Sequence, residues 1–194
     1  MCGIAGLIDL AGLDRGTVAP RLDRAVARLK ARGPDDNGTW YDDHAALGHT
    51  RLAIVDLSAA GHQPMVQGPL ALVYNGEIYN HAQLRAELES LGETFNGHSD
   101  TEVLIRGWAH WGTEMLPRLN GMFAFALWDS SDGSLTLARD RFGKKPLSYA
   151  LSGSQLALAS DLVALEEVEG TQREVDPDAL RLLFGLRWLP EPWS

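Results

Sequence analysis

Cysteine is nearly absent from this chain of 194 residues; the single one is Cys2. One cysteine cannot build an internal disulfide framework, and it fits a reducing compartment. Long apolar runs are missing as well, and none approaches the ~20 residues that cross a bilayer. The N-terminus lacks a basic segment followed by an apolar stretch, so no signal peptide is expected and the cytoplasm is the default location. Positive charge is in the minority: 17 Lys and Arg against 26 Asp and Glu give a net charge of -9. That balance argues against nucleic acid or an anionic membrane as the main partner. The six histidines lack the spacing of zinc ligands, so no metal site is expected. Gly143-Lys144-Lys145 lacks the preceding glycine of a phosphate-binding P-loop. Internal repeats and low-complexity tracts are absent too.

What is present is ordinary for a packed domain: 45% hydrophobic and 22% charged residues. A chain of this length buries most of its apolar surface without staples. Gly3 to Asp9 reads as a short buried strand. Pro20 is expected to open a helix along Leu22, Val26 and Leu29, stopped by Arg32-Gly33-Pro34-Asp35. Apolar or alternating runs follow at Ala45–Leu52, Ala53–Leu57 and Leu70–Tyr74. Asn80 with Gln83 resembles a capping box for a helix with Leu84, Leu88 and Leu91 on one face, closed by Gly92. Ser99-Asp100-Thr101-Glu102 is a second capping signature, leading into Val103, Leu104, Trp108 and Trp111. The second half is richer in strands, with hairpins expected at Gly121–Asp129 with Ser134–Arg139 and at Pro146–Ala150 with Gln155–Ala159. Asp176-Pro177 caps a last helix through about Phe184. Two clusters of strands with helices between them predict an α+β fold with two antiparallel sheets.

Cys2 carries the clearest chemical signal. Removal of Met1 would leave a thiol and a free α-amine on one residue. The amine titrates near ~7.7–8.0 and the thiol near ~8.5, so the amine can act as base to the thiol. A lone cysteine is also an ordinary small buried hydrophobe, and Cys2 by itself does not decide between the two.

Several ordered segments narrow the reading. They are Met1-Cys2-Gly3-Ile4-Ala5-Gly6, Arg51-Leu52-Ala53-Ile54-Val55-Asp56-Leu57, Tyr74-Asn75-Gly76-Glu77-Ile78-Tyr79-Asn80 and Ser99-Asp100-Thr101-Glu102. Arg32-Gly33-Pro34-Asp35, Gly61-His62-Gln63-Pro64, Leu119–Ala126 and Arg139–Leu147 add to them. Along essentially the whole chain this set resembles the glutaminase domain of class II glutamine amidotransferases, which are N-terminal-nucleophile hydrolases. Within that class it is most similar to glutamine-hydrolysing asparagine synthetases. The resemblance implies a four-layer α/β/β/α sandwich. It also implies that Cys2 attacks the side-chain amide of L-glutamine, that Asn75 and Gly76 form the oxyanion hole, and that Arg51 binds the α-carboxylate. Asp100 would hold the α-ammonium, and Leu52, Ile54, Val55 and Glu77 would complete the glutamine site. Read without the resemblance, Arg51 is a surface charge, Asp100 a helix cap, Glu77 a solvated carboxylate and Asn75-Gly76 a turn. His49 and His62 are read as structural, and Trp108 and Trp111 as core or interface.

The same resemblance sets expectations beyond this chain. Residues 2–170 would be the glutaminase domain. Residues 171–194 would be a linker and the start of a synthetase domain that uses ATP and magnesium to amidate aspartate, acting in cis or in trans. The glutaminase domain itself would need no cofactor. A homodimer stays open. So do two alternatives: delivery of ammonia to another carboxylate, and a non-catalytic regulatory domain of the same fold. One departure is Ser148, where relatives usually carry a second tyrosine after Pro-Leu.

Overall fold

A computed structural model of the chain describes residues 1–170 and 175–190. Its strands, in chain order, are β1 (Gly3–Asp9), β2 (Asp36–Tyr41), β3 (Ala45–Arg51), β4 (Met65–Gln67), β5 (Leu70–Ile78), β6 (Gly121–Asp129), β7 (Ser134–Arg139), β8 (Ser148–Ser152) and β9 (Gln155–Ala159). The helices are α1 (Arg15–Leu29), α2 (His81–Ser90), α3 (Asp100–Trp111), α4 (Met115–Arg118), α5 (Leu162–Glu169) and α6 (Pro177–Leu186). One sheet runs β2-β3-β1-β9-β8 and the other β4-β5-β6-β7. Every pairing in both is antiparallel.

Three apolar clusters stack the layers. Val18, Leu22, Ala25, Val26 and Leu29 of α1 and Ala164, Leu165 and Val168 of α5 pack on one face of the first sheet. Ile4, Ile8 and Leu47 meet Ala71, Val73, Ala126 and Trp128 between the sheets. Leu84 and Leu88 of α2 and Val103, Leu104, Ile105 and Trp108 of α3 cover the outer face of the second sheet. The order is helix, sheet, sheet, helix, the expected α+β architecture. β1 and β3 are buried on both faces, which is why their sequences run apolar rather than alternating. Trp128 crosses the sheet–sheet layer and its indole N–H donates to Asp42 at 2.6 Å, so its polar tip is satisfied. Among the described residues no helix is long and apolar enough to cross a membrane.

Several elements differ from expectation. The first helix starts well before Pro20, at an Asp14 cap whose carboxylate accepts from Gly16 N–H at 3.1 Å. Pro20 lies inside the helix on an exposed side. Burial of the Leu22, Val26 and Leu29 face outweighs the backbone bond that Pro20 cannot make. Ala53–Leu57 is an irregular loop, with Ile54, Val55 and Leu57 exposed. Strand β2 and helix α5 were not expected; β2 is only half-buried and polar, and α5 is short. The fourth expected strand extends through Asn75-Gly76-Glu77 to Ile78, so those residues are strand and not turn. Asn80 does not cap α2 with its side chain. Its amide instead donates to Arg118 O and accepts from Asn120 N–H. Leu91 lies beyond α2 and is exposed, whereas Leu84 and Leu88 are buried. Pro146 and Leu147 precede β8. The expected linker falls partly at 171–174 and 191–194, outside the described residues.

Candidate active site

β1 runs through the middle of its sheet and delivers Cys2 to one end of the sandwich. Gly3 lies opposite Thr50 of β3, so Cys2 faces the Arg51-Leu52 step. The Cys2 Sγ is 3.4 Å from the Leu52 N–H, which donates to it, and 3.7 Å from the Leu52 carbonyl. The Arg32 guanidinium donates to the Cys2 carbonyl at 3.1 Å and steadies the chain end. Burial pushes the Cys2 thiol up from its ordinary value, and Asp100 adds to this. The Leu52 contact, the chain's terminal ammonium and Arg51 oppose it. The resting group is therefore a thiol that needs a proton acceptor before it becomes a nucleophile.

The facing wall is the far end of β5. In an antiparallel ladder, alternate residues send their N–H and C=O groups to opposite sides. Tyr79 N–H bonds back to Asn120 at 2.8 Å, so Tyr74, Gly76 and Ile78 look the other way, toward the edge that β4 no longer covers. Side chains take over there. Tyr74 N–H donates to Gln63 Oε1 at 2.7 Å, and His49 Nε2–H donates to the Tyr74 carbonyl at 3.0 Å. Ile78 N–H donates to Asp100 Oδ2 at 3.0 Å. Between them, the Gly76 N–H points to the same uncovered edge. Among the described residues the Asn75 Nδ2 is a buried donor with no partner. Leaving such a donor unmade costs about 1–3 kcal/mol, and together with the Gly76 N–H it can receive an oxygen on the cleft wall.

Two charged side chains flank this wall. Ser99 caps α3 through its hydroxyl, which accepts from Glu102 N–H at 3.1 Å, and this frees Asp100 from that task. Asp100 turns inward and its Oδ2 accepts from the Tyr74 hydroxyl at 2.7 Å. Both bonds to Asp100 end on Oδ2, leaving Oδ1 for a ligand. Arg51 is held by carbonyls of the loop that follows it: Nη1 donates to Ser58 O at 2.8 Å and Nη2 to Asp56 O. Each terminal nitrogen keeps one further N–H, and Nε–H is also left. Gly61 makes room for this pose, because a Cβ there would lie 2.0 Å from Arg51 Nη2.

All nine residues expected at the site line one cleft of about 200 Å³: Cys2, Arg51, Leu52, Ile54, Val55, Asn75, Gly76, Glu77 and Asp100. Ile54 and Val55 line it from an exposed loop. Sequence reasoning did not single out Gln63, Tyr74, Asp56 or Lys145, which line it as well. Gln63 and Asp56 stood in quoted motifs, but nothing in those motifs reveals that one serves a strand edge and the other a loop. His49, read as structural, is fully buried between the sheets, and burial holds its pKa down to about 4. It is neutral, and the Tyr74 carbonyl fixes the proton on Nε2.

Residues 1–194 match the family described as a glutamine amidotransferase domain. The chain is 41% identical over 211 aligned positions to a putative glutamine-hydrolysing asparagine synthetase of Mycobacterium tuberculosis, covering 99% of this chain and 32% of that protein. It is 39% identical to asparagine synthetase 3 of Bacillus subtilis, covering 96% of this chain and 31% of that protein. Among solved structures it is similar to glutamine phosphoribosylpyrophosphate amidotransferase from Bacillus subtilis. That match has a TM-score of 0.71 and 26% identity, over 91% of this chain and 46% of the other. The chain spans about a third of the length of the curated relatives it matches.

Proposed function

The chain belongs to the glutamine amidotransferase domain family, and from that premise we propose that it hydrolyses glutamine to glutamate and ammonia with Cys2 as nucleophile. The observation that carries the reading is the unpartnered Asn75 Nδ2 beside the Gly76 N–H, which faces the uncovered strand edge, on the wall of the cleft that Cys2 lines. With Met1 removed, the α-amine of Cys2 lies next to its own thiol. It takes the thiol proton as Sγ attacks the γ-amide carbon of glutamine. The carbonyl oxygen becomes an oxyanion and is received by Asn75 and Gly76. The α-ammonium passes the proton to the departing nitrogen, ammonia leaves, and a glutamyl thioester remains on Cys2. Water then attacks the thioester, releases glutamate and restores the thiol.

The two ends of glutamine set the rest of the site. Arg51 offers a fork of donors to the α-carboxylate, which suits a planar guanidinium better than a point charge. Asp100 Oδ1 receives the α-ammonium, while Oδ2 stays tied to Tyr74 and Ile78. Leu52, Ile54, Val55 and Glu77 close the cleft around the side chain.

Ammonia made here would pass to a synthetase partner, in cis or in trans, that amidates a carboxylate with ATP and magnesium. Aspartate is the acceptor favoured by the names of the relatives, and another carboxylate is the alternative. We read residues 2–170 as the catalytic unit and 171–194 as a link to that partner. In support, α5 is clipped to α1 by Glu167 with Arg24 and Arg28, whereas no residue of α6 is buried. The test is a glutaminase assay on the parent and Cys2→Ala proteins. Loss of glutamate release in the variant is expected, and release at the parent rate would refute the reading.

A further inference from the structure

Asp56 joins parts of the cleft that are far apart in sequence. It lies in the irregular loop after β3 and is 8% exposed. Its Oδ1 accepts from Ser58 N–H at 2.7 Å and closes the loop on itself. Its Oδ2 accepts from His98 N–H at 2.8 Å. Ser99 and Asp100 follow His98 directly. The carbonyls of Asp56 and Ser58, at either end of that small turn, are the two that hold the Arg51 guanidinium. Gly97 keeps the approach open, since a Cβ there would lie 2.7 Å from the Ala60 Cβ and 2.9 Å from Asp56 Oδ2.

We propose that Asp56 is a positioning residue that fixes the distance between Arg51 and Asp100, and so selects substrates carrying both an α-carboxylate and an α-ammonium. The inference rests on the glutaminase reading above. The loop from 52 to 58 packs little apolar surface; Ile54, Val55 and Leu57 are exposed. Its conformation therefore depends on hydrogen bonds, and the strongest available are those to a carboxylate. Its partners also hold this group ionised, with its pKa down at about 2, chiefly through the Ser58 side chain and then the His98 N–H. A neutral amide cannot replace it. Both oxygens accept from N–H groups, so Asn at this position would present its NH₂ to one of two donors.

The test is steady-state kinetics of the parent and Asp56→Asn proteins. The substrates are glutamine, its analogue lacking the α-carboxylate and its analogue lacking the α-ammonium. Asp56→Asn is expected to raise KM for glutamine about tenfold or more and to lower kcat by a smaller factor, because Asp56 bonds the Arg51 loop and the segment before Asp100 rather than Cys2. The preference of the parent for glutamine over both analogues is expected to shrink together. Gly97→Ala, whose Cβ would press on Ala60 of the same loop as well as on the Asp56 carboxylate, is expected to give the same pattern and serves if Asp56→Asn does not fold. An unchanged KM and unchanged selectivity in a folded variant overturn the proposal. So does loss of discrimination at one end only. A parent protein without glutaminase activity overturns the underlying reading and this one with it. An active parent with an indifferent Asp56→Asn overturns this one alone.

Discussion

The two ends of β5 are the same strand in different company. At Leu70–Leu72 it is paired on both sides, by β4 and β6. Leu70 and Leu72 there are buried in the core beneath α2 and α3. From Tyr74 to Ile78 only β6 remains, and Gln63, His49 and Asp100 stand in for the missing neighbour. The first end is flanked by a strand on each side and serves the core. The second stops one partner short, and the donors left over face a cleft with a thiol in it. The sheet edge is here finished by side chains rather than by another strand, and under the proposed function it is this edge that receives the oxyanion.

That contrast can be broken from either end. Leu72→Ala should take the largest toll on stability, about 2–5 kcal/mol by denaturant unfolding, because it empties fully buried volume. The folded fraction should still hydrolyse glutamine with the parent KM. Asn75→Ala should do the reverse: a loss of about 2.7–4 kcal/mol of transition-state stabilisation, read as a fall of ~10²–10³ in kcat, with stability nearly kept. If both variants lose stability and activity in the same proportion, the two ends are not distinct.

His49 gives a pH test of the edge. The unfolded chain protonates this imidazole near its ordinary ~6.5, and the folded chain only near about 4, because the ring is buried. Between those values the unfolded state binds more protons, so stability falls as pH is lowered from about 6.5 to about 4. The full contribution is on the order of 3 kcal/mol, and His49→Gln should flatten that part of the curve. The smallest effect expected is that of Ser99→Ala, which removes the cap of α3 at a cost of about 1 kcal/mol in chemical denaturation. A modest rise in KM should accompany it, since Asp100 follows the lost cap.

Legibility in the sequence followed the same division. β1, β6, β7 and β9 could be placed to the residue, because apolar pattern and turn signals coincide there. All nine expected site residues line one cleft, since ordered motifs carry them. What escaped was whatever depends on distant partners. Asn75-Gly76 looks like a turn locally, and it stays extended because nine residues of β6 lie opposite β5. Asn80 looks like a cap until Arg118 and Asn120 arrive to claim its amide. Pro20 looks like a helix start, yet Asp14 had already started the helix and the buried face carried it past the proline. The duties of Gln63, His49 and Asp56 were invisible for the same reason, because each serves a backbone group at least eleven residues away.

Under the proposed function Cys2, as the first residue of the working protein, carries the glutamyl group. Mass analysis of protein quenched in acid during glutamine turnover tests it directly. Met1 is expected to be absent, with a glutamyl adduct on the N-terminal peptide beginning at Cys2. Full turnover by protein that retains Met1, or an adduct on any other residue, would contradict it.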